Sequence, residues 1–308
     1  MRRDLVRLTF KQFRFEALAI GASLLALATV LVVVAIRLQA IDIAACSGPG
    51  QPLDCGARRD AVEGLFSFTF AGQVLAAALP VFGALVLGVA SVGRELERGT
   101  TTLVWPLARS RARWLGIRWL ILGAAVLAAA LIVGLAADAM HEASRTTHAS
   151  TTFDMIDLRG WIVAARAVAA FTLALLVGAV FGRSLPGLLV AMIVMAVLVL
   201  GVDWAMGAWT RSQAVTIDMS AVNDARMTDT HWRDVTTGRV LSRLEYLAVT
   251  PPPGAPADWD AVTFEPIPIG VPGARAGDYL AVEGVTLAGI TILLLAGSVA
   301  VVERRTPY

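Results

Sequence analysis

Charge is scarce in this 308-residue sequence: only 16% of residues are Asp, Glu, Lys or Arg, and 57% are hydrophobic. An average soluble domain is about one quarter charged, so a chain of this composition lacks the polar surface to cover itself in water. Lysine is almost missing. Lys11 is the single one, and no G-x-x-x-x-G-K-[ST] loop surrounds it, which excludes the usual cradle for a nucleoside triphosphate. The three histidines, His141, His148 and His231, are all expected in outer loops. His141-Glu142 is not followed by a second histidine at helical spacing, so the zinc-hydrolase pattern is not made. There is no G-x-S-x-G elbow, and no serine, histidine and acid that the sequence brings together within an apolar run. Catalysis by this chain, and metal or cofactor binding by it, are therefore not expected.

What the sequence does have is apolar runs long enough to cross a bilayer, which takes about 20 helical residues. Six are present, at 17–36, 67–92, 114–137, 161–181, 185–204 and 279–302. Lipid offers the backbone no hydrogen-bond partners, and the period-two alternation of a barrel is missing, so these runs must be helices. The expected fold is an all-α integral membrane protein, a single transmembrane domain with six spans. Residues 1–16 alternate bases with Leu5, Val6, Leu8, Phe10, Phe13 and Phe15. That pattern suits a helix lying on the inner leaflet, and it serves equally as a positive-inside anchor.

With the N-terminus placed in the cytoplasm, fourteen bases and five acids fall on the cytoplasmic side, against twelve and nineteen on the other. This asymmetry predicts an N-in, C-in orientation in the cell membrane. The two cysteines, Cys46 and Cys55, then share the first outer loop, where a disulfide is permitted; two free thiols are the other possibility. Between the fourth and fifth runs stand only Gly182, Arg183 and Ser184 before Pro186, which predicts a tight cytoplasmic hairpin. Arg166 and Asp203 then come to similar height near the outer surface. They either pair or reach separately to outer water.

Other polar residues within the spans are Thr69, Gln73, Thr172, Glu283 and Thr286. These are the candidates for a path, and the prevalence of Ala, Leu and Val around them favours a hydrophobic or amphipathic cargo. Glu283 is expected either to gate an exit or to reach outer water. Residues 205–278 form a long outer segment, expected as a small cap with interfacial helices, including an amphipathic helix near Val240 to Leu247 and an extended stretch near Val262 to Ile269.

The most informative segment is the short charged loop 93–113, GRELERGTTTLVWPLARSRAR. Glu95 and Glu97 alternate with Arg94 and Arg98, Gly99 breaks the helix, and Thr100 or Thr101 can cap a new one. Leu103, Val104 and Leu107 have the spacing of an apolar helix face suited to a groove on a soluble partner, and Pro106 ends or kinks that helix.

The order Glu95-x-Glu97-x-Gly99-Thr100, then Pro106, Ser110-Arg111 and the base Arg118, resembles the cytoplasmic signature of permeases in the type-2 ATP-binding-cassette exporter family. Lysine is usual where Arg118 stands. The six-span layout with a long outer segment before the last span resembles that family too. The resemblance implies a coupling helix from about Thr100 to Arg109, with Glu95, Glu97, Arg98, Gly99, Thr100, Leu103, Pro106, Leu107 and Arg111 at or near the contact with a soluble nucleotide-binding ATPase. ATP and Mg would sit on that partner. A second permease copy, identical or related, and membrane lipid complete the expected partners, and no nucleic acid is expected. The competing readings are a sensor or immunity protein that binds a ligand through the outer segment, and an enzyme of the bilayer. The first gives no reason for the signature. The second needs clustered carboxylates or histidines at matched depth, which the sequence does not provide.

Overall fold

The computed structural model describes residues 2–41, 46, 54–99, 110–145, 152–249 and 263–305. Helix α1 runs over Arg2–Gln39, α2 over Cys55–Glu97, α3 over Arg111–Arg145, α4 over Trp161–Phe181 and α5 over Ser184–Ser212. A short helix α6, Arg243–Leu247, and a final long helix α7, Ala276–Arg304, follow. Six of these helices are long and apolar enough to span a bilayer, and each contains one of the runs predicted from sequence. α1 is a single uninterrupted helix, so the N-terminal segment is continuous with the first span and does not form a separate surface helix.

The chain divides into two compact units, one of residues 1–148, 155–202 and 280–308, the other of 149–154 and 203–279. In the helical unit α4 is the centre: 83% of its most apolar stretch is buried, against 22% or less for α1, α5 and α7. α4 has little amphipathic character because it is surrounded by protein, whereas the peripheral helices keep a lipid-facing side. One core cluster lies among α2, α3 and α4, built on Phe171, Leu115, Leu175, Val89 and Val92. A second joins α1 to α2 and α3 through Leu24, Ala28, Leu31, Ala35 and Leu38, the i, i+4, i+7 face of a helix.

Small residues let α2 and α4 approach closely. A Cβ on Gly88 would lie 2.6 Å from the Phe171 carbonyl oxygen, and one on Gly178 would lie 3.1 Å from the Val89 carbonyl oxygen. Gly182 has φ +63° and ends α4, and α5 begins two residues later, which makes the expected tight hairpin.

The second unit contains the extended stretch expected near Val262 to Ile269, as a strand, but a sheet takes the place of most of the expected interfacial helices. It carries a four-stranded antiparallel sheet of order β1-β4-β2-β3, with β1 Val215–Thr216, β2 Ala225–Asp234, β3 Val240–Leu241 and β4 Phe264–Pro272. β2 and β4 pair along their length, from Ala225 opposite Pro272 to Asp234 opposite Phe264, with an irregularity between Met227 and Asp229. The amphipathic stretch begins as a strand at Val240 and only becomes helical at Arg243, where Ser242 and Glu245 close a capping box. Trp232 stacks on Tyr246 at 4.3 Å, and Phe264 meets Tyr246 edge-on at 5.4 Å. The Asp234 carboxylate accepts bonds from the backbone N–H groups of Thr236 and Thr237 and from the Thr236 hydroxyl, closing the β2–β3 turn.

Candidate functional site at the end of helix α2

The last turn of α2 sends successive charged side chains to three different helices. Arg94 pairs with Glu16 of α1. Glu95 turns inward and pairs with Arg118 of α3, and both side chains are buried. The carboxylate of Glu97 accepts from the backbone N–H of Ser184 at 3.1 Å and from its hydroxyl at 2.7 Å. Ser184 is the first residue of α5, so Glu97 satisfies a donor that the start of a helix leaves open and places a negative charge at the favourable end of the helix dipole.

This fan follows from helix geometry, because side chains 100° apart on one turn point to different neighbours. Gly93, just before them, lies against the backbone of Arg183 and Ser184, with room for no more than ordinary contact. Arg118 is held further: its guanidinium donates to the Ser91 carbonyl and lies 4.4 Å over the Trp114 ring. Beyond Glu97 the chain turns through Arg98 and Gly99, both exposed, and Gly99 takes φ +66°, the left-handed helix stop that the sequence anticipates.

Thr100, Leu103, Pro106 and Leu107 lie outside the described residues. Arg111, on the far side of that segment, donates to the backbone carbonyls of Glu303 and Arg305 at the end of α7. Arg305 in turn donates to the Val180 carbonyl of α4 at 2.7 Å. Both ends of the 100–109 segment are therefore anchored in helices that have their own links to the rest of the bundle.

Of the polar residues expected within the spans, Arg166 pairs with Glu283 of α7 at 2.6 Å and lies 3.8 Å from Asp157. Glu283 is fully buried, so the expectation that it reaches water is overturned: Arg166 compensates the burial of its charge. Asp203 lies in α5 and belongs to the second unit. Gln73 lies 3.4 Å from the ring of His141, which is not in a loop but in α3, buried. Thr172 accepts from the Trp119 indole at 2.9 Å and donates to the Val168 carbonyl. These polar residues are thus spread over separate helix contacts. Cys46 and Cys55 are joined by a disulfide, with Cα atoms 5.6 Å apart. Sequence spacing gives no sign of Glu16, of Ser184 as a partner or of the pairing of Glu95 with Arg118, although Arg118 is the base of the signature.

A family model, ABC-2 membrane transporter related, matches residues 17–211, from α1 to the end of α5. The chain belongs to this family. It is a multi-pass transporter permease by that membership and by its six apolar helices. The matched residues include the whole fan at the end of α2 and its partners Arg118 and Ser184 in this ABC-2 chain. No curated protein and no solved structure matches it.

Proposed function

We propose that this ABC-2 chain is the membrane-spanning permease of an ATP-driven exporter, with its termini in the cytoplasm of the cell membrane and ATP and Mg bound by a separate soluble subunit. The observation that carries the proposal is the fan of Arg94, Glu95 and Glu97, which leads directly into the 100–109 segment and ties its base to α1, α3 and α5. A force applied to that segment by a partner is delivered to three helices at once, a requirement for moving spans as rigid levers. Glu95 serves by holding α2 to α3, since it is buried. Glu97, Arg98 and Gly99 are exposed beside the segment and are the groups a partner can touch. Two permease copies, identical or related, work with two ATPases in this scheme, and the apolar spans favour a hydrophobic or amphipathic cargo.

The test is co-expression with candidate ATPases and stoichiometric co-purification, repeated with Leu103→Asp, Leu107→Asp and Arg98→Glu. Capture lost in these variants, with the permease still folded, supports the proposal. Failure of every ATPase to bind folded permease removes it, and ligand binding by the sheet unit becomes the reading to pursue.

A further inference from the structure

Helix α7 is fixed to the bundle at two levels, and between them, beside the buried Leu287, part of its face stands off α3 and α4. At one level Glu283 pairs with Arg166, and the Trp161 ring covers Gly284 so closely that a Cβ has no room. At the other, Arg111 and Arg305 bind the end of α7 to α3 and α4, with Ser298 and Val302 buried just before it. Between the two attachments lies a cavity of about 470 Å³, bounded by α3, α4 and α7. Small side chains create it: Gly123 and Ala124 on α3, Ala165 on α4, and Ala288 on α7.

The wall is almost wholly apolar, and the indole N–H of Trp119, which also lines it, is already used by Thr172. Such a space offers water no partners and does not hold it. Its position decides what does fill it. Gly284 to Ile292 occupy the middle of α7, eight residues from one end and twelve from the other, or about 12 and 18 Å along the axis. That is mid-depth in a hydrocarbon layer about 30 Å thick. The rim residues Leu120 and Ile292 are exposed at that depth, so the medium outside is hydrocarbon.

We infer that this cavity is a binding site for one acyl chain of a membrane lipid, entering sideways between α3 and α7. The chain replaces the packing that α7 lacks against α3 and α4. This site goes beyond the export reading and does not depend on it.

The protein is reconstituted in nanodiscs with a phospholipid that carries a photoactivatable group in mid-chain, irradiated, and mapped by peptide mass spectrometry. Labelling at 119–127 and 284–292 is expected to saturate as the probe's mole fraction rises. Labelling on the lipid-facing Leu189, Ile193 and Val197 of α5 is expected to rise in proportion. Filling the cavity with Ala288→Phe, or with Ala124→Phe from the opposite wall, is expected to cut the first labelling several-fold and leave the second unchanged. A proportional rise at both places overturns the inference with the unaltered protein alone. So does a cavity that stays unlabelled while cross-linking joins two copies through Ile292, which would assign the gap to a second copy of the chain.

Discussion

The guanidinium of Arg118 reaches from α3 to the carboxylate of Glu95 on α2, and both side chains are nearly sealed, at 3% and 4% exposure. Two charges so enclosed are tolerated because each neutralises the other, and because Ser91 and Trp114 also engage the guanidinium. Removing one partner leaves an uncompensated buried charge, which costs about 3–5 kcal/mol. Glu95→Ala and Arg118→Ala should therefore each lower the thermal unfolding temperature in detergent markedly. Arg118→Lys, which keeps the charge but loses the fork and most of the stacking over Trp114, should fall between. Equal stability of wild type and Glu95→Ala would mean that the pair does not hold α2 to α3.

Glycine at position 88 sets the spacing between α2 and α4. A methyl there would meet the Phe171 carbonyl and the Ala174 side chain, each at 2.6 Å, and backbone cannot yield as a flexible side chain would. Gly88→Ala should destabilise by about 1–3 kcal/mol, the usual cost of overpacking. Gly21→Ala, where a Cβ meets nothing within 4 Å, is the matched control. It should be neutral or slightly stabilising in the same unfolding assay.

Much of this bundle was legible in the sequence, since a span must be both long and apolar and the chain has little else. The hairpin at Gly182 and the helix stop at Gly99 were legible as well, because both need a positive φ that glycine supplies without strain. The sheet was not. β2 reads ARMTDTHWRD, with no clean apolar alternation, and β4 carries Pro266 and Pro268, which argue against a central strand. Pro268 cannot donate to the ladder, but its carbonyl accepts from Ile217. The fan at the end of α2 was half legible. The signature named its acids and its base, but which acid faces inward depends on how α2 is rotated against α3, and sequence spacing alone does not fix that rotation.

The β2–β3 turn should depend on pH. Hydrogen bonds from the Thr236 hydroxyl and from the Thr237 and Thr236 backbone hold the Asp234 carboxyl well below the usual carboxylate range. A group whose pKa is lower when folded stabilises the fold above its unfolded value, about 3.9, and that contribution fades as pH falls through the folded value. Asp234→Ala should thus unfold at a lower temperature than wild type at pH 7, and the gap should narrow below about pH 4. Glu245, held low by Ser242 and Arg239, should behave in the same sense. A gap independent of pH would show that the charge does not matter to the turn.

Reducing the Cys46–Cys55 bridge should lower the unfolding temperature, since it closes a loop of nine positions whose freedom otherwise adds to the unfolded state. The chain-entropy estimate for so short a loop is about 2–3 kcal/mol. Cys55→Ser and reduction of the wild type should give the same shift, and reduction should not move the variant further. A shift on reducing Cys55→Ser would point to an effect of the reductant unrelated to this bridge.

Arg166 should depend on Glu283 for its place in the bundle. The chain spacing places it level with Asp203, while the structure pairs it with Glu283 on α7, with Asp157 as a second acid nearby. Reversing the arginine alone, Arg166→Glu, sets two acids against each other inside the bundle with no base to compensate them, and should severely reduce folded yield. Adding Glu283→Arg restores opposite signs across the same gap and should recover much of the loss, though Asp157 still faces the new glutamate. If Glu283→Arg gives no rescue, the arginine does not hold α7 through Glu283, and α7 is held at that level by Trp161 over Gly284. The cavity proposed above would then have a weaker attachment at the Glu283 level, and its lipid chain would carry more of the burden of keeping α7 in place.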